Sequence, residues 1–85
     1  MKSPRHLDRV RNLPCCVTGI GPPCEAHHIR YPGITGVGKK SSDYFTIPLT
    51  PELHREFHTR GRREWELAYG SQIDHVTRTL KRLYP

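Results

Sequence analysis

The chain has 85 residues, of which 34% are apolar, so it is one small domain with too little apolar material for a core to carry the fold unaided. Its 14 Lys and Arg against 8 Asp and Glu leave a net charge of +6 and a pI near 9.7, which points to a polyanionic partner, nucleic acid foremost. Three cysteines, two of them adjacent, do not make a disulfide framework, and no apolar run is long enough to span a bilayer; a metal-stapled domain in a reducing cytoplasm is expected.

The opening "MKSPRHLDRVRN" is basic and polar with no apolar signal core, and predicts a basic N-terminal arm over residues 1–12 or the lead-in to a short helix. "PCCVTGIGPPCEAHHI" combines β-branched residues, glycines and a Pro pair, and reads as a short hairpin whose second arm is "CEAHHI". A glycine-rich basic loop, "RYPGITGVGKKSSD", follows. It spells G-x-x-x-x-G-K, but Lys40 stands where a phosphate-binding loop needs a hydroxyl, and no buried strand precedes it. "YFTIPL" alternates as a strand does, and Thr50-Pro51 then opens a helix with Thr as N-cap, Pro at the first position and Glu52 in the first turn. "TRGR" interrupts that helix, "RREWELAY" resumes it up to Gly70, and Ser71 caps a last helix, "QIDHVTRTLKRLY", with Asp74 at the capping-box position. Ile73, Val76, Leu80 and Leu83 recur at helical spacing and predict its core face, with Arg78, Lys81 and Arg82 toward solvent. Trp65 and Tyr69 share a helix face and are expected in the core. His6 and His75 have no evident partners and are expected at the surface. The order is α+β, with no internal repeat and no second domain.

The chemistry gathers on histidines. His54 and His58 are four apart on one helix and close enough to share an ion. The doublet His27-His28 lies on a predicted strand, where neighbouring side chains face opposite ways. One ring of the doublet with the helical pair makes three neutral nitrogen ligands with coordination positions left open, the pattern of a catalytic site. The other ring is then free to act as a general base near neutral pH. Three imidazoles favour zinc, nickel, cobalt or manganese; magnesium, which prefers oxygen, is allowed because phosphate and water supply oxygens.

"AHHI", "DYFTIPL" and "ELHREFH" together resemble the HNH, or ββα-metal, endonucleases, and more narrowly the phage recombination enhancement function (Ref)-type nucleases. With "HTRGRREWELAYG" the similarity covers about residues 13–70. The resemblance implies a small treble-clef-like ββα-metal core over 13–58 with additional C-terminal helices over 59–85. It implies a DNA endonuclease that uses one divalent ion, with His27, His54 and His58 as ligands and His28 as base. Asp43 falls where the family's middle Asn holds the loop, and would orient the site. Relatives often carry a Cys pair in a knuckle and another Cys before the helix; Thr18 and Thr50 stand in what look like those positions, so a cysteine-bound second zinc is not expected. The implied setting is the cytoplasm of a bacterial or phage-infected cell.

The expected partner is double-stranded DNA, met mostly through its backbone by Arg30, Lys39 and Lys40 on the loop and by Arg60, Arg62 and Arg63 after the metal helix. The chain is expected as a monomer or weak dimer. Cys15, Cys16 and Cys24 read as small buried residues. The rival reading is a non-catalytic zinc module binding nucleic acid or protein, with Cys16, Cys24, His54 and His58 closing a structural site.

Overall fold

Helix starts are written into this chain by hydroxyl caps, two of them followed by proline. In the computed structural model, which describes residues 2–29 and 42–85, Ser3 Oγ accepts from the His6 amide at the head of α1 (Pro4–Arg11). Thr50 Oγ1 accepts from the Leu53 amide at the head of α2 (Pro51–Arg60), and Ser71 Oγ from the Asp74 amide at the head of α4 (Gln72–Leu83). Each cap satisfies a backbone N–H that the first turn leaves without a partner. Gly61, at φ 86°, takes a left-handed backbone that side chains rarely adopt and separates α2 from α3 (Arg62–Tyr69).

The sheet has two antiparallel strands, β1 (Glu25–His28) and β2 (Thr46–Leu49), with His27 opposite Ile47 and His28 opposite Thr46. The Ile29 amide extends the ladder by donating to the Phe45 carbonyl at 2.9 Å. The hairpin expected inside residues 14–29 is therefore corrected. Residues 15–20 close on themselves as a turn, through Cys15 N to Ile20 O at 2.8 Å, and β1 pairs with a strand far along the chain. Pro22 and Pro23, lying just before β1, have no N–H to give a local ladder.

All four residues of β2 are buried, and α1, α2 and α4 pack on the hairpin. Ile29, Ile47, Leu49, Leu53, Trp65 and Val76 form the core with Cys15 and Cys24. The arm expected over residues 1–12 is, from Pro4 to Arg11, a docked helix with Val10 and His6 buried.

Three further expectations change for one reason, the pairing of polar groups at long range. His6 and His75, expected at the surface, are 1% and 4% exposed. His6 Nδ1 meets the Tyr84 hydroxyl at 2.7 Å, and His75 bonds the Tyr69 carbonyl at 2.9 Å while Arg78 lies 3.1 Å from its other nitrogen. Imidazoles partnered in this way tolerate burial. The inner stripe of α4 is Gln72, His75, Val76 and Thr79, which leaves Ile73 38% exposed at its edge. The architecture is thus α+β, two antiparallel strands with four helices. No helix among the described residues is long and apolar enough to cross a membrane.

Candidate functional site

β1 and α2 carry the histidines to one place. His27 points inward from β1 and is 3% exposed, while His54 and His58 stand one turn apart on α2. One ring nitrogen from each of the three lies within 4.8 Å of the others. Two nitrogens tetrahedrally placed at ~2.1 Å from an ion sit roughly 3.4 Å apart, so side-chain adjustments on the order of an ångström close this set on one cation. The rings line an open cleft of about 470 Å³ with Ala26, His28 and Phe57.

Two of the three rings have one nitrogen engaged by a neighbouring side chain. His27 Nε2 lies 2.8 Å from Gln72 Oε1, and His54 Nδ1 lies 2.8 Å from Glu25 Oε1. Both partners are acceptors, so each imidazole donates there and keeps its other nitrogen as a lone pair. A ligating histidine is commonly oriented in this way, through a carboxylate or carbonyl behind it. Burial pulls the His27 pKa down to about 4, ahead of smaller effects from Gln72 and the neighbouring rings. It is therefore neutral at physiological pH, as a metal ligand must be. The donor set fits a borderline-soft divalent cation.

His28, the next residue of the strand, is half-buried at the edge of the same cleft. Its Nε2 is 2.8 Å from Asp43 Oδ1, and the second oxygen of Asp43 accepts from the Ser3 amide at 2.7 Å. The hydrogen bond from His28, then that from Ser3, hold the Asp43 carboxyl below its ordinary pKa. Asp43 sits in a turn fixed by Phe45 N to Ser42 O at 3.0 Å and by Thr46 Oγ1 donating to Asp43's own carbonyl at 2.8 Å. With Nε2–H given to a carboxylate, His28 keeps Nδ1 as its basic nitrogen.

Of the residues expected to meet DNA, Arg30, Lys39 and Lys40 lie outside the described residues, as does the G-x-x-x-x-G-K stretch. Arg60 and Arg62 are exposed but ion-paired one turn away, to Glu56 at 3.3 Å and Glu66 at 3.2 Å; Arg63 is exposed. The sulfur-containing set does not assemble. Among the described residues the trio His27, His54 and His58 forms the one metal-sized group of His, Cys, Asp or Glu. Cys15 and Cys24 are buried in the core, and burial pushes the Cys16 thiol up to about 12.

Sequence reasoning missed Gln72, Glu25 and Ser3. Gln72 left one sign, an amide on the same helical stripe as Val76 and Thr79, where an apolar residue would otherwise be read.

A relative described as "Uncharacterized protein YdfU", from Escherichia coli (strain K12), is 36% identical over 73 residues, covering 86% of this chain and 20% of that protein. The chain thus spans a minor part of the relative's length. No solved structure matches. Residues 1–84 match the family described as "Protein of unknown function (DUF968)". From Ser3 through the histidine doublet to Gln72, every residue of the site falls inside that match, and the chain belongs to the DUF968 family.

Proposed function

We propose that the chain is a divalent-metal-dependent DNA endonuclease domain of the HNH type. In this reading β1, β2 and α2 form its ββα-metal unit. The observation that carries the reading is the division of labour in the doublet. His27 joins His54 and His58 around one point, while His28, its neighbour on the strand, is held by a carboxylate beside them.

His27, His54 and His58 would hold the ion. A divalent cation there supplies Lewis-acid neutralisation of phosphate charge, worth several kcal/mol in such sites. The remaining steps belong to the chain. Asp43 fixes the His28 ring so that Nδ1 is free to accept. His28 Nδ1 takes a proton from water as the water oxygen bonds to phosphorus; the bond from phosphorus to the leaving oxygen breaks, and that oxygen takes a proton from solvent. The imidazolium so formed is stabilised by the ionised Asp43. Positioned proton transfer of this kind contributes about 10²–10⁴-fold.

The test is supercoiled plasmid incubated with the chain and zinc, manganese, nickel, cobalt or magnesium in turn. Nicking or cutting that EDTA abolishes, and that His28→Ala reduces by about 10²–10⁴ with metal content unchanged, is the expected result. Undiminished cleavage by His28→Ala removes the base assignment. No cleavage with any of these ions removes the enzymatic reading.

A further inference from the structure

A second cleft, of about 530 Å³, opens between α1 and the end of the chain, lined by Ser3, Arg5, His6, Arg9, Tyr44 and Tyr84. We propose that it seats the DNA backbone beside the cut, with Arg5 and Arg9 binding phosphate oxygens of the strand that enters the histidine site. This rests on the nuclease reading and extends it to a surface the histidine motif does not contain.

Ser3 lies on the rim of the cleft, its amide bonds Asp43 at 2.7 Å, and Asp43 bonds His28 at 2.8 Å. A strand whose scissile phosphate faces His28 is therefore within two hydrogen bonds of the cleft. Among the described residues Asp43 pairs with neither arginine; its two oxygens accept from His28 and Ser3.

The cations of the chain differ in how they are paired. Arg11, Arg60 and Arg62 each pair with a carboxylate on their own helix. Arg5 and Arg9, one turn apart on α1, make no ion pair with a carboxylate among the described residues. Arg9 donates from Nη1 to the Tyr84 hydroxyl at 3.2 Å, a neutral acceptor, with its guanidinium 5.7 Å from the centre of that ring. Its charge and most of its five donors remain for a ligand, and a planar donor fork suits phosphate.

Behind Arg9 stands a frame of Tyr84 and His6. Its N–H takes up one side of the Tyr84 oxygen, so the Tyr84 O–H donates to His6 Nδ1 at 2.7 Å. His6 is 1% exposed and stacks against Tyr44 and Tyr84, at centroid distances of 4.5 and 5.6 Å. Burial and the Arg9 cation lower its pKa, which disfavours the charged ring. Burying the His6 ring carries a desolvation cost; the relay that starts there ends on an exposed guanidinium at the mouth of the cleft.

The test is binding of a short fluorescent DNA duplex, followed by anisotropy in EDTA across a range of KCl. On B-DNA the slope of log K against log salt falls by about 0.9 per lost phosphate contact. The double variant Arg5→Ala/Arg9→Ala is expected to bind more weakly with the slope shallower by about 1.8. Tyr84→Phe, which keeps both charges and releases Arg9, weakens binding with the slope retained. Lys81→Ala, on the solvent face of α4, leaves both unchanged. Wild-type binding with an unaltered slope in the double variant overturns the cleft alone, as does an equal loss of slope in Lys81→Ala. Failure of the wild-type chain to bind duplex overturns the nuclease reading with it. Tighter binding to an RNA duplex of the same sequence overturns the assignment to DNA.

Discussion

Replacing Gln72 with leucine separates the stability of the fold from the hold on an ion. Gln72 is fully buried; its Oε1 accepts from His27 Nε2 at 2.8 Å, while its own Nε2 has no partner among the described residues. Without metal, the leucine variant strands the His27 N–H, at about 1–3 kcal/mol, but also removes an unpaired buried amide whose desolvation costs a comparable amount. The two offset, and the metal-free protein should lose only about 1 kcal/mol. With metal the cancellation fails, because a ligand has lost the group that fixes its tautomer. Loss of such a partner typically lowers metal affinity 10–100-fold, or about 1.4–2.8 kcal/mol. At a saturating ion concentration that difference appears directly in the stability of the loaded form. For a domain this small it corresponds to roughly 5–20 °C in Tm. The assay is competition with a chromophoric chelator, paired with thermal melts with and without ion. Gln72→Glu, which keeps an acceptor facing His27, should restore affinity, and nitrogen NMR should show His27 protonated at Nε2 in the metal-free wild type. Affinity equal to wild type in Gln72→Leu refutes the reasoning. Tighter binding refutes it more sharply, since Gln72 would then have been competing for the ligating nitrogen.

Asp43→Ala should slow cleavage by roughly 10–100-fold at unchanged metal content, and Asp43→Asn, which keeps an oxygen to accept from His28, should fall between; equal rates for all three deny Asp43 an orienting role. A cobalt-loaded sample should give visible spectra without thiolate charge-transfer bands, whereas strong bands would place sulfur at the metal. In EDTA, the unfolding free energy should decline as pH falls below 6.5. Folded His6 has a lowered pKa, so the unfolded chain binds the proton first, and its contribution is complete above 6.5 and lost as pH falls through the folded value. His27 acts with the same sign down to about 4; urea titrations of His6→Gln should show a flatter decline than wild type, and an identical pH profile contradicts the assignment. Trp65, fully buried between Phe57 and Tyr69, has an indole N–H with no partner among the described residues. Trp65→Phe should therefore cost under about 2 kcal/mol by denaturant melts, against about 3–5 for Trp65→Ala.

Local signals were read well in this chain because their physics is local. Thr50-Pro51, Ser71, Gly61 and Gly70 act within one helical turn, and each begins or ends a helix where the sequence places it. The i, i+4 spacing of His54 and His58 is likewise a property of one helix, and the strand histidine does come within reach of it. Apart from the helix begun at Ser3-Pro4, the errors are long-range. The partner of β1 is β2, not the adjoining turn, and nothing near Cys15–Ile20 announces that choice. His6 is buried because of Tyr84, 78 positions away, and Gln72 because of His27, 45 away. The inner face of α4 follows those polar pairings as much as its apolar spacing, which is why Ile73 sits at the margin.

The alternation of side chains along β1 ties the doublet to opposite ends of the polypeptide. Through His27 the strand reaches Gln72 at the head of the last helix; through His28 and Asp43 it reaches Ser3, ahead of the first. In the nuclease reading, a change at Ser3 should therefore bear on His28 and a change at Gln72 on His27. Substitutions at these two positions, far apart in the chain, should fail in distinguishable ways, one at the buried ring and one at its neighbour.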